Sequence, residues 1–94
     1  MNELTPPVLT DSLIDYPCDF PLKIFGLQQA GFARAVLEVV TRHDPGFRAS
    51  SMETRESKTA RYASLTCTVR ATSRLQLDAL YQELCDHPSI VMVL

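Results

Sequence analysis

The sequence predicts an α+β domain in which a four-stranded antiparallel sheet carries two helices on one face. Two segments repeat apolar residues with the period of an amphipathic helix, and another alternates apolar and polar residues as a half-buried strand does. The segments follow one another in the order strand, helix, strand, strand, helix, strand. Because each element has one apolar face, a single core between helices and sheet buries all of them.

The first half of the chain predicts a strand and a helix. In the strand, over 20–25, alternate residues are apolar, and Gly26 ends it. The helix, over 28–43, has its core residues three and four positions apart, which places on one face Phe32, Ala35, Val36, Val39, Val40 and His43. An Asp-Pro-Gly turn ends this helix.

The next two strands, roughly 47–55 and 60–71, are predicted to form a hairpin. The second alternates without a break, so that its apolar face consists of Ala63, Leu65, Cys67, Val69 and Ala71. The first is less hydrophobic, as an edge strand in a hairpin can be.

The last two elements are a helix and a strand over 90–94. Ser73 and Gln76 have the spacing of a capping box. The apolar residues that follow share one helix face and are Leu77, Leu80, Tyr81 and Leu84. A terminal strand stays ordered only if it pairs in the sheet, so we expect the last strand to do so.

This order of elements is that of the ferredoxin-like βαββαβ fold. Right-handed crossovers place the first and third strands in the centre, which predicts the strand order 4-1-3-2. We assign residues 13–94 to this single domain. Residues 1–12 contain two prolines and no apolar period, and we assign them to a flexible N-terminal tail.

Charge and composition disfavour nucleic acid and membranes as partners. The net charge is −2 and the pI about 5.5, whereas a domain that holds phosphates by charge is usually basic. No apolar run approaches the ~20 residues that span a bilayer, and the N-terminus does not resemble a signal peptide. We expect a cytoplasmic protein whose three cysteines, Cys18, Cys67 and Cys85, are reduced thiols.

We find no catalytic or metal site in the sequence and expect neither an enzyme nor a cofactor. His43 and Asp44 lie at a predicted helix end and turn, which explains both residues without an acid–base role. The run 85–87 supplies two metal ligands, a Cys and a His, where zinc needs three or four. An enzyme would need a pocket that joins residues distant in the sequence.

The face of the sheet away from the helices is the first candidate for a binding function. Strand parity places on it the polar residues Ser64, Thr66 and Thr68 together with Lys23, Phe25, Tyr62, Val91 and Val93. The apolar members make this face more apolar than contact with water requires. It is therefore predicted to be an interaction face for a second copy of the chain or for another protein.

RNA binding on the same face is the alternative. RNA-recognition domains of this topology stack bases on aromatic residues of their first and third strands, where this chain has Phe25 and Tyr62. The third strand lacks the glycine and the second aromatic residue of that motif, and the acidic pI also argues against it.

Six short stretches also have a familiar order and spacing. They read YPCDFP from Tyr16, KIFG from Lys23, VLEVV from Val36, HDPG from His43, LYQEL from Leu80 and VMVL from Val91. Together they resemble the YbeD family, or UPF0250 group, of small bacterial proteins of uncharacterised function. The resemblance covers residues 13–94. It implies a fold similar to ACT domains, which are small-molecule-sensing regulatory modules, together with a lipoate-related role and no catalytic residues.

By analogy with ACT domains, we expect a small carboxylate ligand at the loop from the first strand into the first helix, Gly26, Leu27, Gln28 and Gln29. Gly26 permits close approach of the backbone, and N–H groups at a helix start can bind a carboxylate. The sequence thus predicts an ACT-like, non-enzymatic regulatory or adaptor domain that binds a small carboxylate metabolite or a protein partner.

Overall fold

The computed structural model of the chain describes residues 15–59 and 61–94. Its elements are β1 (Cys18–Leu27), α1 (Phe32–His43), β2 (Glu53–Glu56), β3 (Tyr62–Ala71), α2 (Arg74–Asp86) and β4 (Ile90–Val93). The predicted order of elements is confirmed, with a 3-10 turn (Ala49–Ser51) added before β2. The predicted tail, residues 1–12, lies outside the described residues.

The strands form one antiparallel sheet in the order β2-β3-β1-β4, which is the predicted order read from the opposite edge. The central strands β1 and β3 pair along their whole length, from Cys18 opposite Ala71 to Leu27 opposite Tyr62. The short strands β2 and β4, of four residues each, lie at the edges. The ferredoxin-like fold class is therefore confirmed.

The core lies between one face of this sheet and the two helices. The alternation predicted for β3 is confirmed, because all five residues of its apolar face are buried. The other buried apolar residues come from β1, α1, the loop after α1, α2 and β4: Leu22, Ile24, Phe32, Val36, Val39, Val40, Phe47, Leu77, Leu80, Leu84 and Val93. This layer of helices on sheet leaves the opposite face of the sheet, here called the open face, uncovered by either helix.

Local interactions explain where the helices begin. α1 begins at Phe32 rather than at 28, because Gly31 has a left-handed backbone (φ 89°) and the Gln28 N–H donates instead to the carbonyl of Arg61 at 2.8 Å. α2 begins as predicted, since the Ser73 hydroxyl accepts a hydrogen bond from the Gln76 N–H at 3.1 Å.

The placement of Val93 on the open face is wrong. The pairing of β4 with β1 shifts by one residue between Phe25 and Gly26, which leaves Val93 opposite Ile24 in the core with 4% of its surface exposed. Met92 pairs with Phe25 instead and is 46% exposed. The run 90–94 is apolar throughout, so its alternation could not distinguish the two faces.

The last strand is held at both of its edges. Lys23 and Leu94 exchange backbone hydrogen bonds of 3.0 and 2.8 Å, so the predicted pairing of the last strand is confirmed. On the outer edge of β4, the Tyr81 hydroxyl donates to the carbonyl of Val93 at 2.8 Å. Because this bond occupies one acceptor of the edge strand, it reduces the free backbone that β4 offers to another strand.

Candidate binding surface

Exposed apolar side chains concentrate on the open face and the adjoining edge strand. Among the described residues, the exposed large apolar side chains are Leu27, Tyr62, Leu75, Tyr81, Val91, Met92 and Leu94. All but the two on α2 belong to β1, β3, β4 or the residue after β4. We call Leu27, Tyr62, Val91, Met92 and Leu94 the apolar patch. Their exposed fractions range from 39% at Leu27 to 65% at Leu94.

The cross-strand pairing makes this patch continuous. Leu27 lies opposite Tyr62, Met92 lies opposite Phe25, and Leu94 lies opposite Lys23, so that the pairs follow one another along β1. The Lys23 ammonium lies 5.9 Å from the centre of the Phe25 ring, within the range of a cation–π contact. Lys23, Phe25, Tyr62 and Val91, predicted for an interaction face, thus lie in one area, without Val93.

A small cavity of about 160 Å³ opens on the same face, beside the patch. Phe25 and Tyr62 supply apolar walls, Arg55 and Glu56 of β2 lie on a third side, and Ser64 lies at the floor. The sequence placed the two aromatic residues and Ser64 on the open face, but not Arg55. The positions of Arg55 and Ser64 follow from the alternation of the hairpin strands, but their convergence follows only from the register between three strands.

The loop predicted to bind a carboxylate is fully engaged with neighbouring segments. A Cβ atom on Gly26 would lie 2.3 Å from the Phe32 ring and 2.5 Å from the Ser89 carbonyl oxygen, so glycine is needed there for packing. The Leu27 N–H donates to that same carbonyl. The side-chain amides of Gln28 and Gln29 donate to Glu56 (2.9 Å) and Ser89 (3.0 Å).

None of these four loop residues lines the cavity beside Phe25 or a second one of about 360 Å³ near Asp44. Ligand binding at the loop stays a prediction.

His43 and Asp44 are both held by structural contacts. Asp44 is a buried residue, 9% exposed, and its carboxylate accepts a hydrogen bond from the Arg70 N–H at 2.9 Å. The His43 ring lies 2.7 Å from the Glu83 carboxylate of α2, not beside Asp44. Hydrogen bonds from Arg42 and His43 lower the pKa of Glu83 below its ordinary value. Glu83 was not predicted as a partner, because helix packing brings it to His43.

The three cysteines are free thiols in different environments. Cys67 is completely buried on β3, and burial raises its pKa to about 11, whereas Cys85 is exposed at the end of α2. The ring of His87, two residues from Cys85, accepts a hydrogen bond from the Ser89 N–H. Within 15–59 and 61–94, no three His, Cys, Asp or Glu side chains are grouped as metal ligands would be.

Neither of the described helices is long and apolar enough to cross a membrane.

Comparison with known proteins assigns a family. Residues 11–94 match the family described as "Protein of unknown function (DUF493)". The chain is 54% identical over 84 residues to a UPF0250 protein of Nitrosomonas europaea, covering 89% of this chain and 97% of that one. It is 50% identical over 94 residues to a UPF0250 protein of a Janthinobacterium species, and both chains are fully covered. The UPF0250 resemblance is therefore confirmed.

Two solved structures share the fold at low sequence identity. The solution structure of protein HP0495 from H. pylori superposes with a TM-score of 0.71 at 17% identity, covering 99% of this chain and 91% of that one. The ACT domain of a GTP pyrophosphokinase from Chlorobium tepidum superposes with a TM-score of 0.64 at 15% identity, covering 82% and 97%. The fold is thus ACT-like, as the resemblance implied.

Proposed function

Because the chain belongs to the DUF493 family, whose description assigns no function, we propose its function from the surface that the fold leaves open. The protein is a non-enzymatic regulatory or adaptor domain. It associates through the apolar patch of the open face with a second copy of itself or with another protein.

The exposure of the patch is the observation that carries this proposal. Isolated exposed apolar residues are common, but contiguous ones mark interaction sites more often. Here Val91, Met92 and Leu94 expose 62%, 46% and 65% of their surfaces side by side on β4 and the residue after it. Covering such area contributes roughly 25 cal/mol per Å² of apolar surface removed from water. The sheet itself does not need these side chains, because its core lies on the other face.

The ACT-like fold supports a regulatory role by analogy alone. The structural neighbour is the ACT domain of a GTP pyrophosphokinase, and the likeness at 15% identity concerns the fold. One fold hosts many functions, so the analogy ranks hypotheses without deciding between them. The lipoate-related role that the family resemblance implies likewise rests on analogy alone.

Substitution of Met92 by lysine tests the patch directly. We expect the wild-type mass in light scattering to rise with concentration toward twice the monomer mass, and Met92→Lys to stay monomeric, because a charge in the contact must lose its hydration. Leu75→Lys is the control, since Leu75 is 81% exposed on α2, away from the open face.

A wild-type chain that stays monomeric at all concentrations would contradict association with a second copy. Association with another protein is then tested by capturing proteins from a bacterial lysate on the immobilised domain. A partner retained by the wild type and by Leu75→Lys but lost by Met92→Lys supports it. Equal retention by the wild type and both variants would refute the role of the patch.

RNA binding is the second candidate, because Phe25 and Tyr62 do line one cavity together on the open face. Single-stranded RNA bound there would show a steep loss of affinity with salt, as phosphate contacts do. Absence of binding even at ~50 mM salt removes this candidate.

The carboxylate metabolite predicted for the loop over 26–29 is tested by NMR titration with amino acids and lipoate-related acids. Binding there shifts the amide signals from Gly26 to Gly31, and unchanged signals at millimolar ligand would exclude this site.

A further inference from the structure

The cavity beside the apolar patch has the size of one ring or one branched side chain. Its volume of about 160 Å³ is close to that of an engineered protein cavity that holds a benzene molecule, ~150 Å³. The rings of Phe25 and Tyr62 line it from adjacent central strands. The backbone hydrogen bond from the Ser57 N–H to the Tyr62 carbonyl, 2.9 Å long, closes the hairpin at one end of it. The walls thus favour an apolar occupant of this size.

A polar group without a partner lies at the floor of the cavity. Ser64 is only 6% exposed, and its hydroxyl makes no hydrogen bond with any residue of 15–59 or 61–94. The Oγ atom is accessible to solvent through the cavity. Ser64 lies opposite Phe25 on the open face, so its hydroxyl is available to a group that enters the cavity. The floor therefore offers one hydrogen bond to an occupant.

A positive charge without an ionic partner lies next to that hydroxyl. Arg55 is directly opposite Ser64 in the pairing of β2 with β3, and Phe25 is opposite Ser64 on the other side. Among the described residues Arg55 makes no ion pair, whereas the nearby Glu56 carboxylate accepts a hydrogen bond from Gln28. Arg55, Ser64 and Phe25 thus form one row across three strands: a cation, a hydroxyl and an aromatic ring.

This row is complementary to a carboxylate attached to a small apolar group. A guanidinium binds a carboxylate through two parallel hydrogen bonds, and an adjacent hydroxyl can donate a third. Glu56 also lines the cavity, and its carboxylate accepts a hydrogen bond from the Gln28 side-chain amide at 2.9 Å. Because Glu53 and Glu56 flank Arg55 on β2, a ligand with a single negative charge fits better than a polyphosphate chain.

We propose that the cavity formed by Phe25, Arg55, Tyr62 and Ser64 binds a carboxylate that carries an aromatic or branched apolar group. The ring enters between Phe25 and Tyr62, and the carboxylate pairs with Arg55 and Ser64. The inference deepens the proposed function, since it rests on the open face being a binding surface. The ligand is either a free acid or the C-terminal residue of a protein partner.

The test is an NMR titration with N-acetylphenylalanine and, as the matched probe, N-acetylphenylalanine amide, which lacks the charge. We expect the acid to shift the signals of residues 55, 62 and 64 and to bind at least about tenfold more tightly than the amide. Equal affinities of acid and amide, or no shift at these residues, would overturn the proposal.

Two variants locate the carboxylate contact. Arg55→Gln should weaken binding of the acid about tenfold or more and leave the amide unchanged. Arg48→Gln is the control, because Arg48 is exposed and lines the second cavity instead. Unaltered binding by Arg55→Gln would show that the contact is elsewhere. Both variants change exposed side chains, so their folding can be verified by their unchanged spectra.

A peptide ending in phenylalanine with a free carboxylate distinguishes the two sources. Affinity about tenfold above that of N-acetylphenylalanine assigns the site to a protein terminus, and equal affinity assigns it to a free acid. Displacement of the acid by a single-stranded oligonucleotide at physiological salt would instead contradict the proposal.

The experiment also separates this inference from the proposed function. If Met92→Lys abolishes association while no carboxylate binds, the patch functions and the cavity does not. If the acid binds but no association or partner is found, the cavity is a ligand site independent of the patch.

Discussion

Gly26 shows, at the scale of one residue, how packing can explain a feature that the sequence associates with ligand binding. A glycine before a helix permits close approach of a ligand, but here the close neighbours are the Phe32 ring and the Ser89 carbonyl. The glycine therefore lets β1 pass beneath the start of α1 and the segment that leads into β4.

Replacement of Gly26 by alanine should lower the free energy of unfolding by about 2 kcal/mol or more. The ring of Phe32 can rotate, but the Ser89 carbonyl, 2.5 Å from the new Cβ, belongs to the backbone and must move. Urea unfolding measures the effect. Gly46→Ala is the matched control, since its Cβ would meet no atom closer than 3.8 Å and we expect a change below ~1 kcal/mol. Equal effects would contradict the packing explanation.

At the scale of elements, ionic and polar contacts join the end of α1 to α2. Glu83 of α2 accepts hydrogen bonds from Arg42 and His43, the last two residues of α1. The Gln76 amide at the start of α2 donates to the His43 carbonyl at 2.7 Å and to that of Arg70 at 3.1 Å. The bond to the His43 carbonyl satisfies a group at the end of α1 that has no partner within the helix.

Replacement of Glu83 by glutamine should lower the melting temperature by a few degrees at pH 7. Since Arg42 and His43 lower the pKa of Glu83 in the folded state, its charge stabilises the fold above the ordinary carboxylate pKa of 4.5. This contribution is lost as the pH falls through the lowered pKa. The difference in melting temperature between wild type and Glu83→Gln should therefore disappear in acid. Thermal unfolding from pH 7 to pH 2 measures it.

Glu53→Gln is the control for this pH series, because Glu53 is exposed on β2 and makes no ion pair among the described residues. If the difference in melting temperature between wild type and Glu83→Gln does not change with pH, the carboxylate charge is not what stabilises the helix pair.

At the scale of the whole molecule, one core holds the sheet and both helices together. Cys67, in the middle of β3 and opposite Leu22, is completely buried within it. Its thiol can meet a reagent in water only when this packing opens, and its raised pKa further reduces the reactive thiolate. Cys67 therefore reports on the integrity of the core.

Alkylation by a maleimide at pH 8 should modify Cys85 quickly and Cys67 at least ~100-fold more slowly, because opening of a core strand costs close to the free energy of global unfolding. Peptide mass mapping over time separates the two sites. Low concentrations of urea should accelerate the reaction of Cys67 and not that of Cys85. Similar rates for both thiols in native buffer would show that β3 opens locally.

The sequence by itself determined which elements form and which face most of them bury. Helical spacing in 32–43 and strict alternation in 62–71 are local properties, and each holds whatever the partner strand or helix is. Together with the handedness of crossovers they also determined the strand order.

Only the tertiary structure decided the face of β4 and the composition of the binding surface. The run that forms β4 is apolar at every position, and its bulge arises from pairing with β1, a segment about 65 residues away. Arg55, Ser64 and Phe25 meet because three strands share one register, and Glu83 meets His43 because two helices pack together. Such contacts join residues far apart in the chain, where periodicity carries no information about pairing.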